Sequence, residues 1–246
     1  MQSVKGFLFT KRLRVFSIQL SFFDITLILG ATYYLLFSRT EAIYQLVVLF
    51  IAIIIHEMAH GYAALYFGDP TAKSMGRLSV NPLVHIDPVG SVLIPGMLLL
   101  SGSSFFIGWA KPVPVQPAYF KNPYRDMMWV AIAGPASNIA LASIAIGITK
   151  LLLFLQLPVT APLIATLKIC QYAIIINVVL ALFNLIPIPP LDGSRILAYF
   201  LPSSLRESVE RLEPYGMFLV ILFVMTDYFS VLLKAVLVPL LQWLYK

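Results

Sequence analysis

Ile51-Ala52-Ile53-Ile54-Ile55-His56-Glu57-Met58-Ala59-His60-Gly61-Tyr62-Ala63-Ala64 sets an H-E-x-x-H motif inside an apolar run. On an α-helix, positions i and i+4 lie about 40° apart around the axis, so His56 and His60 stack on one face with imidazoles able to converge on one ion. Such a pair is a zinc half-site. Glu57 stands about 100° further round, where its carboxylate reaches water at the ion rather than the ion itself. From Tyr44 to Phe67 the other ionisable groups are all tyrosines, so the motif lies in a segment long enough to span a bilayer. Charge placed there is costly unless paired, neutral or metal-bound, and by default it is functional. The competing reading, a polar cluster that merely satisfies itself between packed helices, has that cost against it.

Composition points the same way. The 246 residues are 60% hydrophobic and 11% charged, with mean hydropathy +0.89. These values exclude an ordinary soluble domain and indicate an all-α polytopic membrane protein. Cys170 is the only cysteine, so neither an internal disulfide nor a thiolate cluster is available, and a metal site must use His and carboxylates. The net charge of +6 comes from Lys and Arg that mostly flank apolar segments; these read as topology signals facing anionic lipid rather than as a nucleic-acid surface. No P-loop or dinucleotide glycine pattern occurs, so no nucleotide is expected.

Along the chain, Lys5, Lys11, Arg12 and Arg14 precede an apolar run from about Leu20 to Phe37, read as an uncleaved first span with a cytoplasmic N-terminus. Arg39 to Glu41 reads as a short outer turn, followed by the motif helix from about Ala42 to Phe67, which Gly68-Asp69-Pro70 stops. The polar stretch from Lys73 to Pro88 alternates in a way that suits a short strand. Val89 to Ile107 is apolar but broken by Pro95 and Gly96. Charge bias decides its course: a segment that dips in and returns keeps most Lys and Arg on one side, so it is expected to be re-entrant.

Gly108 to Val115 carries prolines at a spacing that forbids helix and reads as extended. Spans follow from about Asp126 to Leu155 and from about Leu163 to Ile186, and Pro214 to Lys246 forms one span or a span plus an interfacial helix. The expectation is therefore about five to six transmembrane helices with a re-entrant or short β segment near the site. They form one membrane-embedded domain over 1–246: an N-terminal span in 1–41, a core at about 42–201 and a C-terminal helical region at 202–246.

A catalytic zinc needs a third protein ligand and one open position. The metzincin extension is absent, since Ala63 and Tyr66 stand where Gly and His would be, and no Glu occurs between Glu57 and Glu207. That leaves Asp192, Asp69, Asp87 and His85. Asp69 and Asp87 each adjoin a proline and suit turns. Asp192 follows an apolar span in a proline-bent segment and is favoured; His85, in a loop leading to the re-entrant piece, is its rival. Asn138, inside a span, is either inter-helix glue or a donor to a substrate carbonyl.

His56-Glu57-Met58-Ala59-His60, the Gly-Pro-x-x-Asn of Gly134 to Asn138, and Phe183 through Pro187-Ile188-Pro189-Pro190-Leu191-Asp192-Gly193 together resemble the site-2 protease family of intramembrane zinc metalloproteases. Gly76 to Pro88 and Gly108 to Val115 resemble its compact branch, without an inserted PDZ-like or CBS-like domain. The resemblance covers about Val47 to Leu201. It implies one Zn²⁺ held by His56, His60 and Asp192, Glu57 as catalytic acid/base, and a membrane-embedded helical core. Many members carry Asn-Pro-x-x-Asp-Gly, with the Asn contacting substrate; this chain has Ile188 there, so Asn184 or Asn138 is expected to substitute.

The expected activity is hydrolysis of peptide bonds in transmembrane protein substrates, at a site nearer the cytoplasmic side of the cell membrane. A membrane metal carrier and a non-catalytic helix-binding relative are the alternatives. The first predicts inverted repeats, which the chain lacks, and the second has no need of Glu57. Assembly of identical copies is compatible with the sequence.

Overall fold

The computed structural model describes residues 12–15, 18–21, 40–101 and 111–246. The chain divides into two compact units, Met1–Leu46 and Val47–Lys246. In the first, strands β1 (Arg12–Val15) and β2 (Ile18–Ser21) form an antiparallel hairpin with Arg12 opposite Ser21. The span expected from Leu20 to Phe37 begins in that hairpin and otherwise lies outside the described residues.

Helix α1 (Thr40–Tyr66) absorbs Thr40 and Glu41, which had been expected in a turn, and carries the motif through the start of the second unit. Its end is set by Gly68. At φ +106° this residue lets its own N–H reach Leu65 O (3.1 Å) while Asp69 N–H reaches Ala64 O (2.9 Å). That is a Schellman ending, closed by Pro70.

A short helix α2 (Thr71–Ser74) and a 3₁₀ turn (Pro82–His85) then replace the strand expected near the site. Pro82 cannot donate to a ladder, and Asn81 Oδ1 caps Leu83 N–H (3.1 Å), so local side-chain bonds win over strand pairing. Among the described residues the only strands are β1 and β2. The broken apolar segment continues as a π-helical turn (Pro88–Leu93) and α3 (Ile94–Leu100); its expected return lies outside the described residues. Residues 111–116 form neither helix nor strand, as the spacing of their prolines predisposes them, and Gln116 is extended.

Two long helices follow, α4 (Pro123–Phe154) and α5 (Ala161–Asn184), each with proline in its first turn, where the missing N–H costs nothing. Prolines 187, 189 and 190 forbid continuation of α5, and the chain turns into α6 (Asp192–Phe200). The C-terminal region contains α7 (Ser203–Arg211), α8 (Gly216–Val224) and α9 (Asp227–Leu244). Met225-Thr226 separates α8 from α9, so the region expected as one span or as a span plus an interfacial helix holds two helices, of which α9 alone has span length.

Four described helices are long and apolar enough to cross a membrane: Ile43–Tyr66, Pro123–Phe154, Ala161–Asn184 and Asp227–Leu244. Their outward faces carry Ile51, Ile144, Leu151 and Ile164, all exposed. Large apolar surface of this kind is at home in lipid and not in water. The protein is a multi-pass membrane protein.

Glycines set how closely elements approach. A Cβ on Gly193 would strike the carbonyl oxygens of Leu185 and Ile186, and one on Gly216 would lie 2.5 Å from the Pro189 carbonyl carbon. The start of α6 therefore sits directly on the end of α5, with α8 behind the proline turn. Gly193→Ala is expected to cost about 1–3 kcal/mol, read from unfolding in detergent, because backbone must move. Gly147→Ala, where an added Cβ meets nothing within 4 Å, is expected to be neutral or stabilising.

Candidate metal centre

One turn of α1 brings His56 and His60 together: their rings meet edge to face with centroids 4.6 Å apart, and the two Nε2 atoms are 3.0 Å apart. Helix α6 begins at Asp192 and delivers its Oδ2 to 3.2 Å from His56 Nε2 and 3.3 Å from His60 Nε2. The three atoms come from two segments 132 residues apart in sequence and form a nearly equilateral triangle.

The remaining ring nitrogens are committed elsewhere. His60 Nδ1–H donates to Val130 O (2.7 Å), and His56 Nδ1–H donates to Asn138 Oδ1 (2.6 Å). These tautomers follow from the partners, because a carbonyl oxygen only accepts. Both Nε2 lone pairs therefore point at the carboxylate oxygen, and Asp192 Oδ2 is itself buried without a hydrogen-bond donor. Three acceptors facing one another must share a cation, either a proton or a metal.

Metal fits. Ligand atoms about 2.0–2.1 Å from a tetrahedral ion lie about 3.3 Å apart, and His₂-carboxylate is a donor set of catalytic zinc sites. Asp192 lies outside the spans. With a proton as the shared cation, burial opposes charge, but hydrogen bonding and charge from the protonated His pair outweigh it, so the Asp192 pKa falls below the ordinary value.

Close approach of α4 completes the cradle. A Cβ at Gly134 would lie 2.6 Å from His56 Cε1 and nearer still to the His60 ring. Only glycine at this position lets the helix carrying Val130 and Asn138 lie against both imidazoles.

Glu57 faces a different neighbour. Its Oε2 accepts from Val113 N–H at 2.7 Å, in the non-helical segment 111–116. That strap is tied at further points. Arg77 Nη2 donates to Lys111 O (2.6 Å), Lys111 N–H donates to His85 O (2.9 Å), and Gln116 N–H donates to Asp69 Oδ2 (2.6 Å).

The other expected residues lie apart from the triangle. His85 is fully buried, with its Nε2 2.7 Å from Ser79 O. Asp69 holds Thr71 N–H (2.9 Å) and the Thr71 hydroxyl as well as the strap. Asp87 Oδ1 caps Val89 (3.0 Å) and Gly90 (2.7 Å). Asn184 is partly exposed at the end of α5, its Nδ2 donating to Leu180 O (3.0 Å). Asn138 is fully buried, its Nδ2 donating to Asn177 Oδ1 (2.9 Å) and more distantly to Ala52 O (3.4 Å). Asn177 was not anticipated, although an amide inside an apolar span is the same signal that drew attention to Asn138. The Val130 carbonyl and Val113 N–H are backbone groups with no signature in side-chain identity.

The constellation defines a membrane metallohydrolase centre. Residues 44–226 match peptidase family M50. The chain is 40% identical over 174 residues to "Putative zinc metalloprotease YwhC" of Bacillus subtilis (strain 168), covering 70% of this chain and 76% of that one. It is 28% identical over 172 residues to "Putative zinc metalloprotease Rip2" of Mycolicibacterium smegmatis, covering 70% of this chain and 62% of the relative. The same name and 28% identity over 174 residues apply in Mycobacterium tuberculosis (strain H37Rv), covering 70% and 63%. The chain thus spans under two thirds of these mycobacterial relatives. No solved structure matches it significantly. This chain belongs to peptidase family M50, the site-2 protease family, and is a zinc metalloprotease.

The geometry makes Gly134 a sensitive position. Gly134→Ala is expected to displace the imidazoles and reduce zinc affinity about 10–100-fold, measured by chelator competition on folded protein. Undiminished affinity would contradict the close approach of α4.

Proposed function

We propose that this chain is an intramembrane endopeptidase that hydrolyses peptide bonds of membrane-protein substrates within or near the bilayer. The observation that carries this reading is the meeting of His56, His60 and Asp192 at 3.0, 3.2 and 3.3 Å, with both imidazoles inside a helix apolar enough to cross the membrane. His56, His60 and Asp192 would hold one zinc ion. When bound, zinc acts as a Lewis acid that polarises a carbonyl and brings the pKa of water towards about 7.

Glu57 takes the proton from the attacking water and returns it to the leaving amine. Val113 N–H fixes one oxygen of that carboxylate, and a carboxylate has a second oxygen to offer. Asn138, with no exposed surface and its amide spent on protein partners, orients His56 in this reading rather than a substrate carbonyl. Asn184, partly exposed, is the remaining candidate for a substrate contact. His85 belongs to the scaffold of the strap.

A substrate helix satisfies its backbone internally and must unwind before hydrolysis. The strap, non-helical and held beside Glu57, is a template to which an unwound segment can add as a strand. The bond from Lys111 N–H to His85 O supports a re-entrant course for the segment between them, since it brings both of its ends together. Lys73, Arg77, Lys111 and Lys121 lie between α1 and α4, and Arg125 lies in the first turn of α4. Their excess supports a cytoplasmic position for this end of the site.

Glu57→Gln is expected to retain zinc and to lower cleavage of a reconstituted membrane-protein substrate about 10²–10⁴-fold. Cleavage at the wild-type rate by that variant would refute the assignment.

A further inference from the structure

Asn177 sits in the middle of α5, buried to 2% exposure, and none of the chemistry above uses it. Its side chain ends a run of oriented hydrogen bonds. Asn177 Nδ2 donates to Ala173 O (2.8 Å), Asn138 Nδ2 donates to Asn177 Oδ1 (2.9 Å), and His56 Nδ1–H donates to Asn138 Oδ1 (2.6 Å).

Polarity passes along this run without ambiguity. The Ala173 carbonyl only accepts, so the Asn177 amide must turn its nitrogen to it and its oxygen to Asn138. Asn138 must then turn its own oxygen to His56, which carries its proton on Nδ1 and keeps a lone pair on Nε2. A neutral imidazole can bind metal through Nε2 only in that tautomer.

The two histidines differ in how firmly this is set. His60 donates to the backbone carbonyl of Val130, which cannot rotate. His56 depends on an amide that can. Apart from Asn177, the acceptor for Asn138 Nδ2 is Ala52 O at 3.4 Å, near the outer limit of a hydrogen bond. Without Asn177, little opposes a half-turn of the Asn138 amide, which would present Nδ2 to His56 and move the imidazole proton to Nε2.

We infer that Asn177 is a positioning residue that sets the tautomer of His56 through Asn138, and with it the zinc affinity of the site. This rests on the metal site proposed above. It is tested by titrating purified protein with zinc against a chelator and by counting imidazole ligands from zinc-edge X-ray absorption. Asn177→Leu, similar in size but without an amide, is expected to bind zinc about tenfold more weakly, or about 1.4 kcal/mol, with fewer than two imidazoles at the metal. Asn177→Ala gives the same comparison from a smaller side chain.

Asn177→Asp restores an acceptor for Asn138 Nδ2 and is expected to return the affinity to within about threefold of wild type. Thr149→Val, which removes a buried hydroxyl bonded to Ala145 O (2.8 Å) and to the Cys170 side chain, away from the metal ligands, is expected to leave affinity unchanged. Wild-type affinity and two imidazoles in both amide-free variants would overturn the inference, as would an equal loss in Thr149→Val. Absence of zinc from the wild type would remove the metal site itself, a result distinguishable from failure of the relay alone.

Discussion

Two imidazole lone pairs and a carboxylate oxygen, aimed at one another within 3.3 Å inside a helical bundle, dominate the energetics of this protein. In water such an arrangement would relax by solvation; at low dielectric it repels strongly until a cation enters it. Hydrogen bonds from the back of each imidazole prevent the rings from turning away. The fold thus maintains an electrostatic demand for positive charge that no Lys or Arg among the described residues is paired to meet. That demand, more than the presence of the donors, suits the site to a metal ion.

The surrounding structure exists to make the three donors coincide. Helix α1 supplies the histidine pair through its pitch alone, but Asp192 arrives from a segment that must stop, bend and restart within a few residues. Prolines stop α5, Gly193 lets α6 begin against the carbonyls of Leu185 and Ile186, and Gly216 brings α8 onto Pro189. Gly134 lets α4 press on both rings. Missing side chains at these positions let the backbones close on the site, as small residues do between membrane helices.

The parts legible in the sequence were those governed by local rules. Helical pitch placed His56 and His60 on one face, prolines and Gly68 marked where α1 and α5 stop, and apolar length marked α1, α4 and α5 as long enough to cross a membrane. The carboxylate or imidazole that joins the histidine pair was narrowed to four residues by chemistry, and Asp192, the one that meets them, was favoured because its neighbours hold it off a helix. What escaped reading depended on contacts between distant segments. Lys73 to Pro88 alternates like a strand, yet forms no ladder among the described residues and turns on itself through Asn81. Asn138 could have faced substrate or helix with equal sense until its partners, His56 and Asn177, were known. The tie from Glu57 to Val113 runs through a backbone N–H, which every residue but proline possesses.

Metal stoichiometry in purified protein tests the central claim most directly, comparing wild type with Asp192→Ala and His85→Ala. The account predicts one zinc per chain in the wild type and in His85→Ala, and loss of zinc from Asp192→Ala. Full retention of zinc by Asp192→Ala, or its loss from His85→Ala with the protein still folded, would contradict it.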